Sequence, residues 1–157
     1  TAVVCGLCKP EDEDYRAQLQ QHLAEAGLQE RVVWLGMVPV EDVPLWYQRV
    51  SITVACPLNE GYGLTVIEGM ACGSAAVASR TGGFAEMIVE GDTGHLVPTD
   101  DAPALAEALA KIMRDTALMQ RMGSSSRERV EAVFSIQAEA AHIQEVYQLA
   151  WQKDLKV

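Results

Sequence analysis

The chain lacks any apolar run long enough to span a bilayer, which excludes a transmembrane helix. It is poor in basic residues: 12 Lys and Arg stand against 22 Asp and Glu, for a formal net charge of −10. A general nucleic-acid surface needs a basic field, so nucleic acid is not an expected partner. Only three histidines occur, His22, His95 and His142, and their spacing matches no metal-ligand pattern, so no metal is expected. Cysteine is scarce too. Cys5-Gly-Leu-Cys8 has CxxC spacing but lacks a second pair, which weakens a zinc reading. A redox CxxC should open a helix, whereas Cys5 closes a strand-like run. Cys5, Cys8, Cys56 and Cys72 are therefore expected to be buried small hydrophobes in a reducing cytoplasm. No signal peptide is read at Thr1, since a strand-like run and then acidic residues follow at once.

What is present is a globular pattern. Nearly half of the 157 residues are apolar, enough for one domain with a sizeable core, and no linker or internal repeat interrupts them. Strands are expected at Thr1 to Cys5 (buried), Arg31 to Leu35, Ser51 to Cys56, Ala75 to Ser79 and Thr93 to Val97. Helices are expected at Glu11 to Ala26, Val40 to Arg49, Leu64 to Cys72, Ala85 to Val89, Asp101 to Met113, Ala117 to Val133 and Ile136 to Trp151. Apolar strands alternating with helices predict an α/β fold, a doubly wound parallel sheet covered on both faces. Ligands of such sheets bind beyond the carboxyl ends of the strands.

One segment at such an end carries chemistry: Pro57-Leu-Asn-Glu-Gly-Tyr-Gly-Leu-Thr-Val-Ile-Glu-Gly-Met-Ala-Cys-Gly73. It runs from a strand, through a loop with Gly61 and Gly63, into a helix. The glycines let a ligand approach the main chain. Amides near Gly63, Leu64 and Thr65 should be unpaired donors at the helix N-terminus, suited to an anion such as a diphosphate. Glu60 and Glu68 bracket the loop. An ionised carboxylate accepts paired hydroxyl donors, as sugars and ribose present them.

These residues resemble the GT-B retaining glycosyltransferases of family 4. Glu60 and Glu68 match that family's E-x7-E motif, and Val33-Trp-Leu-Gly36 with Pro39, Gly82-Gly-Phe-Ala-Glu86 and Gly91-Asp-Thr-Gly-His-Leu-Val-Pro98 are close to its wording. Thr1 to Gly6 and Ala85 to Ile88 look most like the lipopolysaccharide-core mannosyltransferases. The resemblance implies a Rossmann-like C-terminal domain of a GT-B fold, spanning residues 1–157 and lacking its first strand-helix unit. It implies that Glu60 is the catalytic-site residue on the transferred sugar, and that Glu68 binds the ribose. Gly61, Tyr62, Gly63, Leu64 and Thr65 would hold sugar and diphosphate, Met37 and Val38 would line the base pocket, and Gly82 and Gly83 would lie near the cleft. The parent enzyme would move a hexose, such as mannose from GDP-mannose, to a glycan or lipid-linked acceptor bound by an absent N-terminal domain. No cofactor is implied beyond the GDP- or UDP-linked donor itself. A cytoplasmic location is implied, with room for peripheral association of the parent at the membrane's inner face.

The family's paired Arg and Lys, which neutralise the departing diphosphate, have no counterpart in this sequence, so transfer by this chain alone is not expected. Arg80 follows a strand end and reads as a surface arginine. The final helix, about 136–152, carries a stripe of Ile143, Val146, Tyr147, Ala150 and Trp151, which either packs on its own domain or crosses to the absent one. A non-catalytic nucleotide-binding module and an interaction module with a vestigial cleft stay open as alternatives.

Overall fold

The computed structural model describes residues 1–154, and the side chains of residues 1–151. Contacts divide the chain into two compact units, Thr1–Val43 and the chain from Pro44 onward.

In the first unit, strand β1 (Ala2–Cys5) leads through a 3-10 turn (Pro10–Asp12) into helix α1 (Glu13–Glu25) and back to strand β2 (Val32–Gly36). The strands pair in parallel, Ala2 opposite Val32 and Val4 opposite Trp34, with a register shift before Cys5 opposite Gly36. This is one strand-helix-strand crossover on a two-stranded sheet. β1 is exposed along its whole length, against the expectation of a buried strand. Its only strand partner among the described residues is β2. Arg16 of α1 lies over the Trp34 ring, 5.9 Å from its centroid.

The second unit begins within a short helix, α2 (Val43–Tyr47), and holds a three-stranded sheet. Strands β3 (Ile52–Ala55), β4 (Ala75–Ser79) and β5 (Gly94–Val97) run in parallel, in spatial order β3-β4-β5. Between them lie α3 (Leu64–Ala71) and the single-turn α4 (Phe84–Met87). Then come α5 (Ala102–Arg114), α6 (Thr116–Arg129), a π-helical segment (Val130–Phe134) and α7 (Ile136–Asp154). All five residues of β4 are buried, because it has strand neighbours on both edges. Alternate residues of a strand face opposite ways. Ala76 and Ala78 join a cluster with Val66 and Met70 of α3, Phe84 and Met87 of α4, Ile88, and Val130. Ala75 and Val77 join another with Val97, Ala108 and Ile112 of α5, and Met122 of α6. The parity of one strand thus separates two helix layers, as the doubly wound reading requires.

Local chemistry sets the helix boundaries. The Asp101 carboxylate accepts from the Ala104 amide at 2.9 Å, and Asp115 does the same for Leu118 at 2.9 Å. Each cap lies one residue before its helix, Asp115 also marking the break between α5 and α6, and Pro103 falls in the first turn of α5. The π-helical segment extends α6 where a plain helix was expected. Its Val130 is buried and its Phe134 packs on the same cluster. In α7 the residues Ile143, Val146, Tyr147, Ala150 and Trp151 are all exposed. Among those residues no helix is long and apolar enough to cross a membrane.

Candidate functional site

The segment singled out by sequence starts at the carboxyl end of β3. Ser79, the last residue of β4, donates its hydroxyl to the Pro57 carbonyl at 2.7 Å, tying the loop's entry to the neighbouring strand. Deeper in, the Thr53 and Ser74 hydroxyls share a buried hydrogen bond of 2.6 Å. Gly69 of α3 packs directly on Thr53, leaving no space for a side chain. These contacts fix the helix against the strand that precedes the loop.

Gly63 is the N-cap of α3 and sits in the left-handed region, φ 96°. It supplies no capping side chain. The Val66 amide turns back to the Gly63 carbonyl at 3.0 Å, and Ile67 follows at 3.4 Å. The amides of Gly63, Leu64 and Thr65 have no hydrogen-bond partner among the described residues. That is the orphan set of a helix N-terminus, where the backbone dipoles also add partial positive charge. Leu64, Thr65 and Glu68 are exposed on one side of α3, while Val66, Gly69 and Met70 are buried on the other. Glu68 therefore lies one turn along the same outward face, about 6 Å from Leu64 along the axis. Glu60 is half-buried at the start of the loop, and Gly61 and Tyr62 are exposed.

A second loop supports the first. A Cβ on Gly82 would collide with the Glu60 carbonyl, and one on Gly83 with the Tyr62 carbonyl. The two backbones are in direct contact, which explains why glycine is needed at both positions. Beneath Gly63 lie the Phe84 ring and the Met87 thioether: a Cβ there would fall 2.5 Å from Phe84 Cε1 and 3.3 Å from Met87 Sδ. The structure thus brings Glu60, Gly61, Tyr62, Gly63, Leu64, Thr65, Glu68, Gly82 and Gly83 into one neighbourhood of the second unit. Met37, exposed, and Val38, half-buried, follow β2 in the first unit.

Several supporting groups had no clear sequence signal. Arg129 of α6 donates from Nε to the Met87 carbonyl and from Nη2 to the Glu86 carbonyl, each at 2.6 Å. More than forty residues separate the partners. Glu90 accepts from His95 Nδ1 at 2.5 Å and from the Leu96 amide at 2.9 Å. Burial pushes the Glu90 carboxyl up, but these hydrogen bonds, with the His95 and Arg80 charges, outweigh it and hold Glu90 below its ordinary range. Arg80 itself is exposed, as its sequence position suggested.

The cysteines depart from expectation. Cys5 and Cys56 are exposed, Cys8 and Cys72 are intermediate, and all four are free thiols. Cys5 does close β1, but β1 is exposed along its length, and Cys56 lies just past the end of β3. Even so, burial pushes the Cys56 thiol up against an opposing backbone hydrogen bond from Ser79, which disfavours the nucleophilic thiolate.

Comparison with known proteins bears on this arrangement. The family model for glycosyl transferases group 1 matches residues 1–129. A lipopolysaccharide core biosynthesis mannosyltransferase, LpcC of Rhizobium leguminosarum bv. viciae, is 41% identical over 147 residues, covering 94% of this chain and 41% of the relative. LpsB of Rhizobium meliloti (strain 1021), of the same description, is 32% identical over 149 residues, 94% of this chain and 42% of the relative. The chain thus spans about two fifths of the length of these relatives. Among solved structures, the C-terminal domain of the group 1 protein LpcC from Francisella tularensis superimposes with a TM-score of 0.82 at 30% identity, over 87% of this chain and 70% of that one. Anabaena Alr3699/HepE, solved in complex with UDP, gives 0.84 at 26% identity, over 94% of this chain and 40% of that one. Matched over most of its length in sequence and in fold, the chain belongs to the glycosyl transferases group 1 family.

Proposed function

We infer that this chain binds the nucleotide-sugar donor of a retaining glycosyltransferase, which transfers a hexose to a glycan or lipid-linked acceptor. The observation that carries the reading is the row of unpartnered amides at Gly63, Leu64 and Thr65, flanked by Glu60 and Glu68. Peptide amides aimed from a helix N-terminus favour a diphosphate and stabilise the charge that develops as it leaves. They do so locally, against the chain's net charge of −10. A carboxylate beside a phosphate is unfavourable, so Glu60 and Glu68 address hydroxyls: Glu60 those of the transferred sugar, Glu68 those of the ribose. The names of the Rhizobium relatives support mannose as the sugar, hence GDP-mannose as the donor. The UDP-glucose complex of HepE supports the general class of ligand.

Titration calorimetry of the full chain with GDP, UDP, GDP-mannose and UDP-glucose tests this. Binding that is lost in Glu68→Ala is the expected result, with GDP preferred over UDP. No binding of any of the four at millimolar concentration overturns the reading and favours a vestigial cleft. Binding of nucleotide with no contribution from the sugar favours a nucleotide-binding module instead.

A further inference from the structure

We propose that Arg129 is a positioning residue for the donor loop, holding it from below through α4. The inference rests on the donor-site reading given above. α4 is a single turn, too short to hold itself, and its last carbonyls have no helical partners. Arg129 meets two of them at once, Met87 O and Glu86 O, each at 2.6 Å. These are charge-assisted bonds from one planar fork, and a cation at a helix C-terminus also suits its dipole. The guanidinium is held in turn over the Phe134 ring of the π-helical segment, 5.7 Å from its centroid.

What α4 carries upward is the floor of the loop. Phe84 and Met87 abut Gly63, and Met87 Cε would lie 3.2 Å from a Cβ on Gly83. A rotation of α4 would therefore move the N-cap of α3, whose orphan amides form the candidate site. The other end of the lever is fixed. Gly123 of α6 packs on the Gly73 carbonyl just after α3, and the Ser126 hydroxyl donates to the Thr93 carbonyl at 2.9 Å. α6 thus contacts the segment after α3 directly and reaches the region before it through Arg129 and α4. Among the described residues the hydrogen bonds and ring contact of Arg129 go to Met87, Glu86 and Phe134, none of them a candidate ligand-binding residue.

The test compares Arg129→Met and Arg129→Lys with a control, Ile112→Ala, which weakens the other cluster. Amide hydrogen exchange at Val66 and Ile67 reads the first turn of α3, with Val77 of β4 as the reference. Titration with GDP and UDP reads the site. Arg129→Met is expected to speed exchange at Val66 and Ile67 about tenfold relative to Val77, and to weaken nucleotide binding about fivefold to tenfold. Arg129→Lys, with one ammonium in place of the fork, should rescue part of both. Ile112→Ala should lower Tm without either selective effect. Equal, uniform changes in Arg129→Met and Ile112→Ala overturn the inference, as does wild-type exchange at Val66 and Ile67. If Arg129→Met does not fold, exchange in Arg129→Lys decides: a selective rise supports the inference, and none overturns it. If the wild type binds no nucleotide, the donor reading fails while exchange still decides whether Arg129 positions the loop.

Discussion

The two units of this chain are built from the same ingredients and reach different degrees of burial. In Thr1–Val43 a parallel pair, β1 and β2, flanks α1, and no residue is fully buried. From Pro44 onward β3, α3 and β4 repeat the strand-helix-strand pattern, yet β4 is buried at every position. The apolar runs do not account for the difference: Ala2-Val-Val-Cys5 is no less hydrophobic than Ala75-Ala-Val-Ala-Ser79. Neighbours account for it. β4 has strands on both edges and helix layers on both faces, while β1 has one strand partner among the described residues. An apolar run is competent for burial, and only its surroundings bury it.

The comparison can be broken at its extremes. Phe84→Ala removes a fully buried ring and should cost about 3–5 kcal/mol. Val3→Ala, at a site 37% exposed, should cost about 1 kcal/mol or less. Denaturant melts of both variants check this, and similar losses would refute the contrast in packing. A finer contrast uses two glycines of positive φ, Gly63 at 96° and Gly36 at 67°. A Cβ on Gly36 meets nothing within 4 Å, so Gly36→Ala should show only the backbone cost, about 1–2 kcal/mol. Gly63→Ala adds a clash with Phe84, so it should lose more stability and also shift the α3 first-turn amides in an NMR spectrum. The smallest effect depends on pH and belongs to the second unit alone. Glu90 is held below its ordinary value of 4.5, so its contribution is present above that value and disappears as pH falls through the depressed folded one. Glu90→Gln should therefore be less stable than wild type near neutral pH, the gap closing below about pH 4.5. Melts from pH 7 to pH 3 measure it, and a gap independent of pH would sink the assignment.

Among the described residues the 3-10 turn at Gln29–Arg31 and the π-helical segment were not legible in the sequence, whereas the β-strands and α-helix cores were, because their periods and end signals are local. Asp101 with Pro103, and the turn at Gly91-Asp92, are examples. The candidate site was legible for a similar reason. Glu60, Gly63, Thr65 and Glu68 fall within nine consecutive residues, so strand-loop-helix order alone puts them together. Supporting contacts were harder to read. Nothing in the run around Arg129 names the Glu86 and Met87 carbonyls, and a Ser at the end of an apolar strand does not reveal Pro57 as its acceptor.

By itself, then, the sequence determined the alternation of strands and helices, the parallel sense of the pairing and a glycine-bearing loop opening a helix, since dihedral preference and hydrophobic period act over a few residues. Only the tertiary structure decided that β1 is exposed and β4 buried, that the strands divide into sheets of two and three, that the cysteines are not core residues, and that Gly82, Gly83, Phe84 and Arg129 underlie the loop. Those outcomes depend on which surfaces meet, and contacts between residues distant in sequence follow from packing and hydrogen-bond geometry rather than from any local pattern.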